Sequence, residues 1–300
     1  MKRKSVKKGI AVALAATMTG GVLPAASVTA ADTEPELLAE FDFDSQASDG
    51  VITGTNAAAK VNGNCQIKTK VGDNTALYLD GGQNYLEVTG EDGSSLLKGQ
   101  DEVTISFDTK AERTSTNWLC YAAADTGTQK YNSEQYLGVM QQNGKVKAER
   151  YKNSGSRPAS PQGEAGSDWS HVDVVVSENA TSVYVNGEKK AEEASDISIP
   201  DIVGEDGVFY IGKANWGSGE YSKAWIDNFR VYGGVLSDEA IAKEYEDFES
   251  EMESSDIQEA YDALTLTDTD DVRGNLPLVK SGKHGAVIDW KSSNPEVITD

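Results

Sequence analysis

From about residue 36 to residue 232 the chain is written in short runs of alternating apolar and polar positions: "LLAEFDFD", "ALYLDGG", "YLEVTG", "VTISFDTKA", "WLCYAAA", "QYLGVM", "KVKAERYK", "HVDVVVS", "TSVYVNGE", "VFYIGK" and "WIDNFRVY". Period-two alternation bounded by turn residues predicts half-buried strands. Asn-Gly at 62, 143 and 186 and Asp-Gly at 49, 80, 92 and 206 supply the punctuation, because these residues tolerate the positive φ that tight hairpins need. Strands this dense, with no long helix between them, predict an all-β fold. The architecture expected is a two-sheet antiparallel jelly-roll sandwich filling one domain of roughly 200 residues.

The last run, "AWIDNFRVY", is chemically mixed. Strict alternation would place Trp225, Asp227, Phe229 and Val231 on one face and Ile226, Asn228, Arg230 and Tyr232 on the other. Neither face is purely apolar, so a buried Asp227 would need hydrogen bonds, an arginine or a cation. After Gly233 and Gly234 a helix is predicted, with Ser237 as N-cap, Asp238 and Glu239 in the first turn, and Leu236 stapled to Ile241. Its stripe of Ile241, Tyr245, Phe248 and Met252 should pack back on the strands, which closes the β domain at residues 32–250. In residues 251–300, "SDIQ" at Ser255 reads as a capping box for a second short helix bearing Ile257, Tyr261 and Leu264. "NLPLV" and "AVIDW" read as strands and "SSNPEV" as a turn. These elements are too few to bury a core alone, so the unit is expected to continue past Asp300.

At the other end, Lys2, Arg3, Lys4, Lys7 and Lys8 precede an apolar stretch from Gly9 to Leu23 and the small-residue run "AASVTAA". This is the pattern of a secretory signal peptide over residues 1–31, cleaved after Ala30 or Ala31. The stretch is too short to span a bilayer and is broken by Gly20, Gly21 and Pro24, so no membrane insertion is expected after cleavage. A secreted, monomeric product is expected, with any attachment to the cell wall supplied from beyond residue 300. The formal charge of the whole chain is −22, and without the signal 22 basic residues face 49 acidic ones. Such a surface excludes nucleic acid and anionic membranes as partners, and a clustered subset of the acids would suit calcium. Cys65 and Cys120 lie in separate predicted strands, in an export setting that allows a disulfide, but spacing does not fix the sulfur distance. His171 and His284 have no metal-ligand spacing.

Several of these runs, with "DWSHVDVVV", "YIGKANWGSGEY" and "IDNFRVYGGVLSDEAI", resemble in order the bacterial laminin-G-like, concanavalin A-like jelly-roll domain over about residues 36–245. "GAVIDWKSSNPEVI" resembles the start of an atrophied bacterial immunoglobulin-like domain. Behind a signal peptide, that pairing is similar to the N-terminal part of exported glycoside hydrolases of the family 43 arabinofuranosidase and xylosidase type. The resemblance implies a carbohydrate-binding or spacer module, often with structural calcium, whose partner is a polysaccharide or oligosaccharide. It does not imply hydrolysis by this module. Glucanases of this fold carry Glu-x-Asp-x-x-Glu, whereas Glu40-Phe41-Asp42-Phe43-Asp44-Ser45 lacks the last acid, so no catalytic residue is assigned. A hydrolytic domain is expected beyond residue 300. The alternative is a secreted or surface adhesin or spacer that binds host glycan or protein without catalysis.

Sugar binding asks for aromatic plates beside planar polar groups. Trp216 and Tyr221 sit on the Gly-rich "KANWGSGEYSKAW" loop, and "AERYKNSGSRP" offers Arg150, Tyr151, Asn153 and Arg157, with Trp118 and Tyr131 at the same end. Trp216, Tyr221, Tyr151, Arg157 and Trp118 are therefore the carbohydrate-binding candidates. Trp169, Trp225 and Trp290 read as core. First and last strands commonly neighbour each other in this fold, which makes Asp42, Asp44 and Asp227 the candidate ligands of a structural Ca2+.

Overall fold

Asn143 and Gly144, and again Asn186 and Gly187, all adopt positive φ, which are the two-residue turns the dipeptides predict. They join antiparallel strands in a computed structural model that describes residues 34–71, 74–124, 135–153, 155, 157–214, 220–265 and 278–291. The signal segment 1–31 and Tyr131 lie outside the described residues.

In chain order the strands are β1 (Glu36–Phe41), β2 (Val51–Thr53), β3 (Ala57–Asn62), β4 (Gln66–Val71), β5 (Asn74–Asp80), β6 (Tyr85–Gly90), β7 (Val103–Ala111) and β8 (Asn117–Ala123). There follow β9 (Tyr136–Gln142), β10 (Lys145–Tyr151), β11 (Gln162–Glu164), β12 (Ser170–Val176), β13 (Ala180–Val185), β14 (Glu188–Ala194), a short helix α1 (Ile199–Val203), β15 (Val208–Ile211), β16 (Lys223–Gly233) and a long helix α2 (Asp238–Asp262). The first sheet runs β14-β13-β12-β7-β16-β5-β4, with β1 also on β16, and the second runs β11-β10-β9-β8-β15-β6-β3-β2. Their inner faces enclose one apolar core that includes Phe41, Leu77, Phe107, Leu119, Val174, Phe209 and Phe229. Phe229 stacks on Phe107 at 5.5 Å and meets Phe209 edge-on at 6.0 Å. Each such fully buried ring contributes up to about 3 kcal/mol of transfer free energy.

Strand β16 departs from simple alternation. Its register with β7 shifts between Asp227 and Arg230, and Asn228 takes φ +47°. This bulge absorbs one residue and flips the remainder of the strand. Ala224, Ile226, Phe229 and Val231 therefore all point into the core, while the polar Asp227, Arg230 and Tyr232 are used on the outside. The face assignment of Phe229, Val231, Arg230 and Tyr232 by strict alternation is corrected accordingly.

The outer polar residues fasten α2 to the first sheet. Ser237 caps the helix by accepting from the Ala240 N–H, and Leu236 and Ile241 bury with Val175 and Tyr184. Arg230 donates to Glu40 (2.9 Å) and Glu244 (2.7 Å), and the Tyr232 hydroxyl donates to Glu244 (2.6 Å). One turn pair further on, Glu251 accepts from Lys70, from Asn74 (2.6 Å) and from Asn228 (2.9 Å). Glu244 and Glu251 are seven residues apart and share a helix face.

The second helix expected at Ser255 is instead the continuation of α2, which runs unbroken through Asp262. No Gly or Pro lies between the two predicted pieces, and a capping box acts only where the chain enters the helix from extended backbone. In the described part of the last segment, "AVIDW" forms no named strand: a single bridge joins Ser281 to Val287, and Trp290 is half-buried, donating to the Val279 carbonyl at 2.6 Å. Cys65 and Cys120 are free thiols, Cys120 inside the core and Cys65 at its edge. No described helix is long and apolar enough to cross a membrane.

Candidate functional site

The outer face of the second sheet carries the aromatic residues. A single cross-strand row runs Glu87 on β6, Tyr210 on β15, Tyr121 on β8, Gly138 on β9 and Glu149 on β10, each in register with the next. Gly138 is required here: a Cβ at this position would stand 2.6 Å from the Trp118 ring, which lies across the strand. Around this gap the rings form a continuous set, with Tyr151 to Tyr136 at 5.2 Å, Tyr136 to Tyr121 at 5.4 Å and Trp118 to Tyr121 at 6.1 Å. Tyr210 then leads to Tyr85 (5.3 Å) and Tyr85 to Tyr221 (6.3 Å).

Two halves differ in exposure. Trp118, Tyr121, Tyr136 and Tyr151 are buried, whereas Tyr85, Tyr210 and Tyr221 are half-buried and open. Polar groups mark the edges. Glu149 accepts from the Tyr136 hydroxyl at 2.6 Å and pairs with Lys147, and Trp118 donates its indole N–H to Glu220. The Arg157 guanidinium lies 4.5 Å over Tyr151, and the Lys213 ammonium lies over both Tyr85 (4.3 Å) and Tyr210 (4.5 Å). Burial pulls Lys213 below the usual lysine range, with Glu87 opposing. It raises the Tyr121 phenol, and it raises that of Tyr136 together with Glu149, so both hydroxyls stay protonated hydrogen-bond donors.

Four of the five sugar-binding candidates, Trp118, Tyr151, Arg157 and Tyr221, are thus placed along this face, and Trp216 lies outside the described residues. On either side of residues 215–219 the chain is paired, through the Lys213–Tyr221 bridge and the Ala214 N–H to Glu220 carbonyl bond of 3.1 Å. Arg150 instead points between the sheets, where it donates to the carbonyls of Ser177 and Ala180. Tyr85, Tyr121, Tyr136 and Tyr210 escaped the loop-centred reading. Their signal was the strand alternation in "YLEVTG", "WLCYAAA", "QYLGVM" and "VFYIGK", with a glycine inside a strand marking close approach.

Residues 80–242, more than half of the chain, match the Concanavalin A-like lectin/glucanases superfamily. The chain belongs to that superfamily. Residues 257–300 match the atrophied bacterial Ig domain. Among solved structures, the lectin/glucanase sandwich is similar to domain 4 of AbnA, a GH43 extracellular arabinanase from Geobacillus stearothermophilus, in complex with arabinotriose. The two are 18% identical with a TM-score of 0.52, over 71% of this chain and 100% of that one. It is also similar to the receptor-binding domain of botulinum neurotoxin D (16% identical, TM-score 0.52, 71% of this chain and 52% of that one). The same holds for the receptor-binding domain of the botulinum neurotoxin C/D mosaic serotype (16%, 0.51, 70% and 51%). The chain spans about half the length of these neurotoxin domains. At such identities the likeness is one of fold. No curated protein matches the chain.

On the opposite sheet of this lectin/glucanase sandwich, the three acids named for calcium are not brought together. Strand β1 does pair with β16, Phe41 facing Phe229, but the chain leaves the sheet there. Asp42 and Asp44 are exposed, and the Asp42 carboxylate accepts the Asp44 N–H at 3.1 Å in a local turn. Regular alternation ahead of the bulge, with Ala224 and Ile226 in the core, points Asp227 outward to meet Asp108 and Glu251, with carboxylate oxygens within 4.8 Å of one another. Lys70, buried itself, pairs with Asp227 at 3.0 Å and with Glu251, and Asn228 donates to Asp108 (2.8 Å) and Glu251. A lysine ammonium in the midst of the carboxylates already supplies the cation, so this donor set does not fit a calcium ion.

The network extends to His171, 2.7 Å from Asp108 and 3.3 Å from Asp173, all three buried. Burial works against the imidazolium, but Asp173 and then Asp108 outweigh it and lift the pKa to about 10. Lys70 is raised too, its carboxylate neighbours overcoming burial. Asp227 is raised to about 7, by burial first and by Glu251 and Asp108, with Lys70 opposing. Four carboxylates against two cations make a negative local field, which raises acids and bases alike.

Proposed function

We propose that this sandwich is a non-catalytic glycan-binding and positioning module of an exported glycoside hydrolase that degrades arabinose- or xylose-containing plant polysaccharide. The hydrolytic domain would follow the immunoglobulin-like segment. The observation that carries the reading is the open half of the aromatic face, where Tyr85, Tyr210 and Tyr221 stand beside the Lys213 ammonium and Glu87. Rings of this kind take the apolar C–H faces of a sugar, and the flanking charged groups take its hydroxyls. The fold likeness to an arabinanase domain solved with arabinotriose supports the same class of ligand. By holding its enzyme beside an insoluble substrate, such a module raises the effective concentration of the reaction partners.

Isothermal titration of the full chain with arabinotriose and with xylohexaose tests this. Saturable binding that weakens at least about tenfold in Tyr221→Ala and Tyr85→Ala is expected. The burial of Trp118, Tyr121 and Tyr136 favours a second reading, in which the rings serve packing and the domain is an adhesin or spacer. Absence of binding to either sugar would leave that second reading in place.

A further inference from the structure

Trp169 and Trp225, read as core from the sequence, are half-buried on the outside of the first sheet. Trp225 on β16 is the register partner of Tyr78 on β5, and their rings are 4.7 Å apart. Trp169, just ahead of β12, extends the line at 6.5 Å from Trp225. We propose that Tyr78, Trp225 and Trp169 form a second glycan platform, on the sheet opposite the face described above and independent of it.

Three features carry the assignment. First, the rings lie outside the apolar core and are not covered by it, although helix α2 covers the neighbouring part of the same sheet. Large aromatics left half-exposed in a row on a sheet surface, with only lysine head groups over Tyr78 and Trp169, are unusual unless something packs on them. Second, their edges are held in place. The Glu112 carboxylate accepts from the Trp225 indole N–H at 2.7 Å and from the Tyr78 hydroxyl at 3.4 Å, and Lys223 lies 3.6 Å from it. Glu112 is lowered below the usual carboxylate range by the Trp225 hydrogen bond, so it remains an ionised acceptor for a hydroxyl.

Third, the charge around the rings is balanced. Lys68, Lys110 and Lys223 stand against Asp80, Glu112 and Asp168, with Lys68 3.6 Å over Tyr78 and Lys110 paired to Asp168 at 3.0 Å, while Lys70, 4.3 Å over the Trp169 ring, is already paired with Asp227 and Glu251. In a chain of net charge −22 this near-neutral patch complements neither a polyanion nor a polycation. The occupant it fits is a neutral, hydroxyl-rich chain with apolar ring faces, that is, an uncharged oligosaccharide. The row also has somewhere to continue: Asp168 and Trp169 line a cleft of about 820 Å³ shared with Tyr245, Phe248 and Met252 of α2. Two platforms on opposite faces would let one module engage two glycan strands, with avidity that neither face has alone.

The chain has five tryptophans, so the indole N–H region of a 15N-labelled sample of the full chain reads both faces at once. Titration with arabinotriose, xylohexaose and cellohexaose is expected to shift the Trp225 and Trp169 indole signals together and to saturation with at least one of them. Trp225→Ala should abolish the Trp169 shift or raise its Kd at least about tenfold, while Tyr221→Ala leaves it unchanged. Trp169→Ala, further from the sheet hydrogen bonds, repeats the test on the Trp225 signal should Trp225→Ala fail to fold. Unmoved Trp225 and Trp169 signals with all three sugars overturn the proposal, whether or not Tyr221-dependent binding persists. Its persistence would leave the first face intact, so the two readings fail separately. Shifts that follow protein concentration rather than sugar would seat a second copy on the row, and would also overturn it.

Discussion

Asp227→Asn isolates the electrostatics beneath α2. Asp227 is almost fully buried, and its pKa is raised from 3.8 to about 7. The folded state therefore holds this proton more tightly than the unfolded chain does, so protonation favours folding. Stability is fully supported by this group below about pH 4 and is lost progressively as the pH rises towards 7. Each pH unit in that window costs about 1.4 kcal/mol, which sums to about 4 kcal/mol above pH 7. Asparagine reproduces the neutral form in shape and cannot ionise. Urea denaturation of both proteins at about pH 5 and about pH 8 gives a double difference in which the titrating groups that do not interact with Asp227 cancel. The advantage of Asp227→Asn over the parent should grow by about 3 kcal/mol between the two conditions. A double difference within about 0.5 kcal/mol of zero, or of opposite sign, would refute the claim that burial, with Glu251 and Asp108, makes Asp227 hold its proton more tightly in the folded state than in the unfolded chain.

Removing the cation should have the converse effect. Lys70→Met leaves Asp227, Asp108 and Glu251 without their ammonium, and an unfolding free energy lower by about 3–5 kcal/mol at neutral pH is expected from denaturation midpoints. Glu244→Ala deletes the acceptor shared by Arg230 and Tyr232, so amide exchange along residues 238–262 should accelerate, with a loss of about 1–3 kcal/mol. In Gly138→Ala the new methyl meets the Trp118 ring. The expected results are a shifted tryptophan emission spectrum, about 1–3 kcal/mol lost to overpacking and weaker arabinotriose binding by titration. An unchanged spectrum would mean that the indole does not lie across β9.

Most of the secondary structure was legible because it rests on local steric rules. Alternation marks strands wherever one face meets a core, and Asn143-Gly144 and Asn186-Gly187 turn because Asn and Gly tolerate positive φ. Ser237 and the acids after it mark the start of α2 for a similarly local reason. The end of α2 was misread, since the pattern at Ser255 is equally compatible with starting a helix and with continuing one.

The sites were less legible, since they depend on which distant strands lie side by side. Lys70 and Asp227 are 157 positions apart and meet only through the order β16-β5-β4. Alternation names two faces but does not say which one is covered. Trp169 and Trp225 therefore looked like core residues, although both belong to an outer face, and a one-residue bulge at Asn228 exchanged the faces of everything after it in β16. Sequence alone determined the all-β sandwich, its hairpins and the capped helix, because each follows from the conformational preferences of a few adjacent residues. Tertiary structure alone decided that Lys70 is the cation among the carboxylates, and that the aromatics form rows on both outer faces, because sheet order and register bring together side chains that no local rule connects.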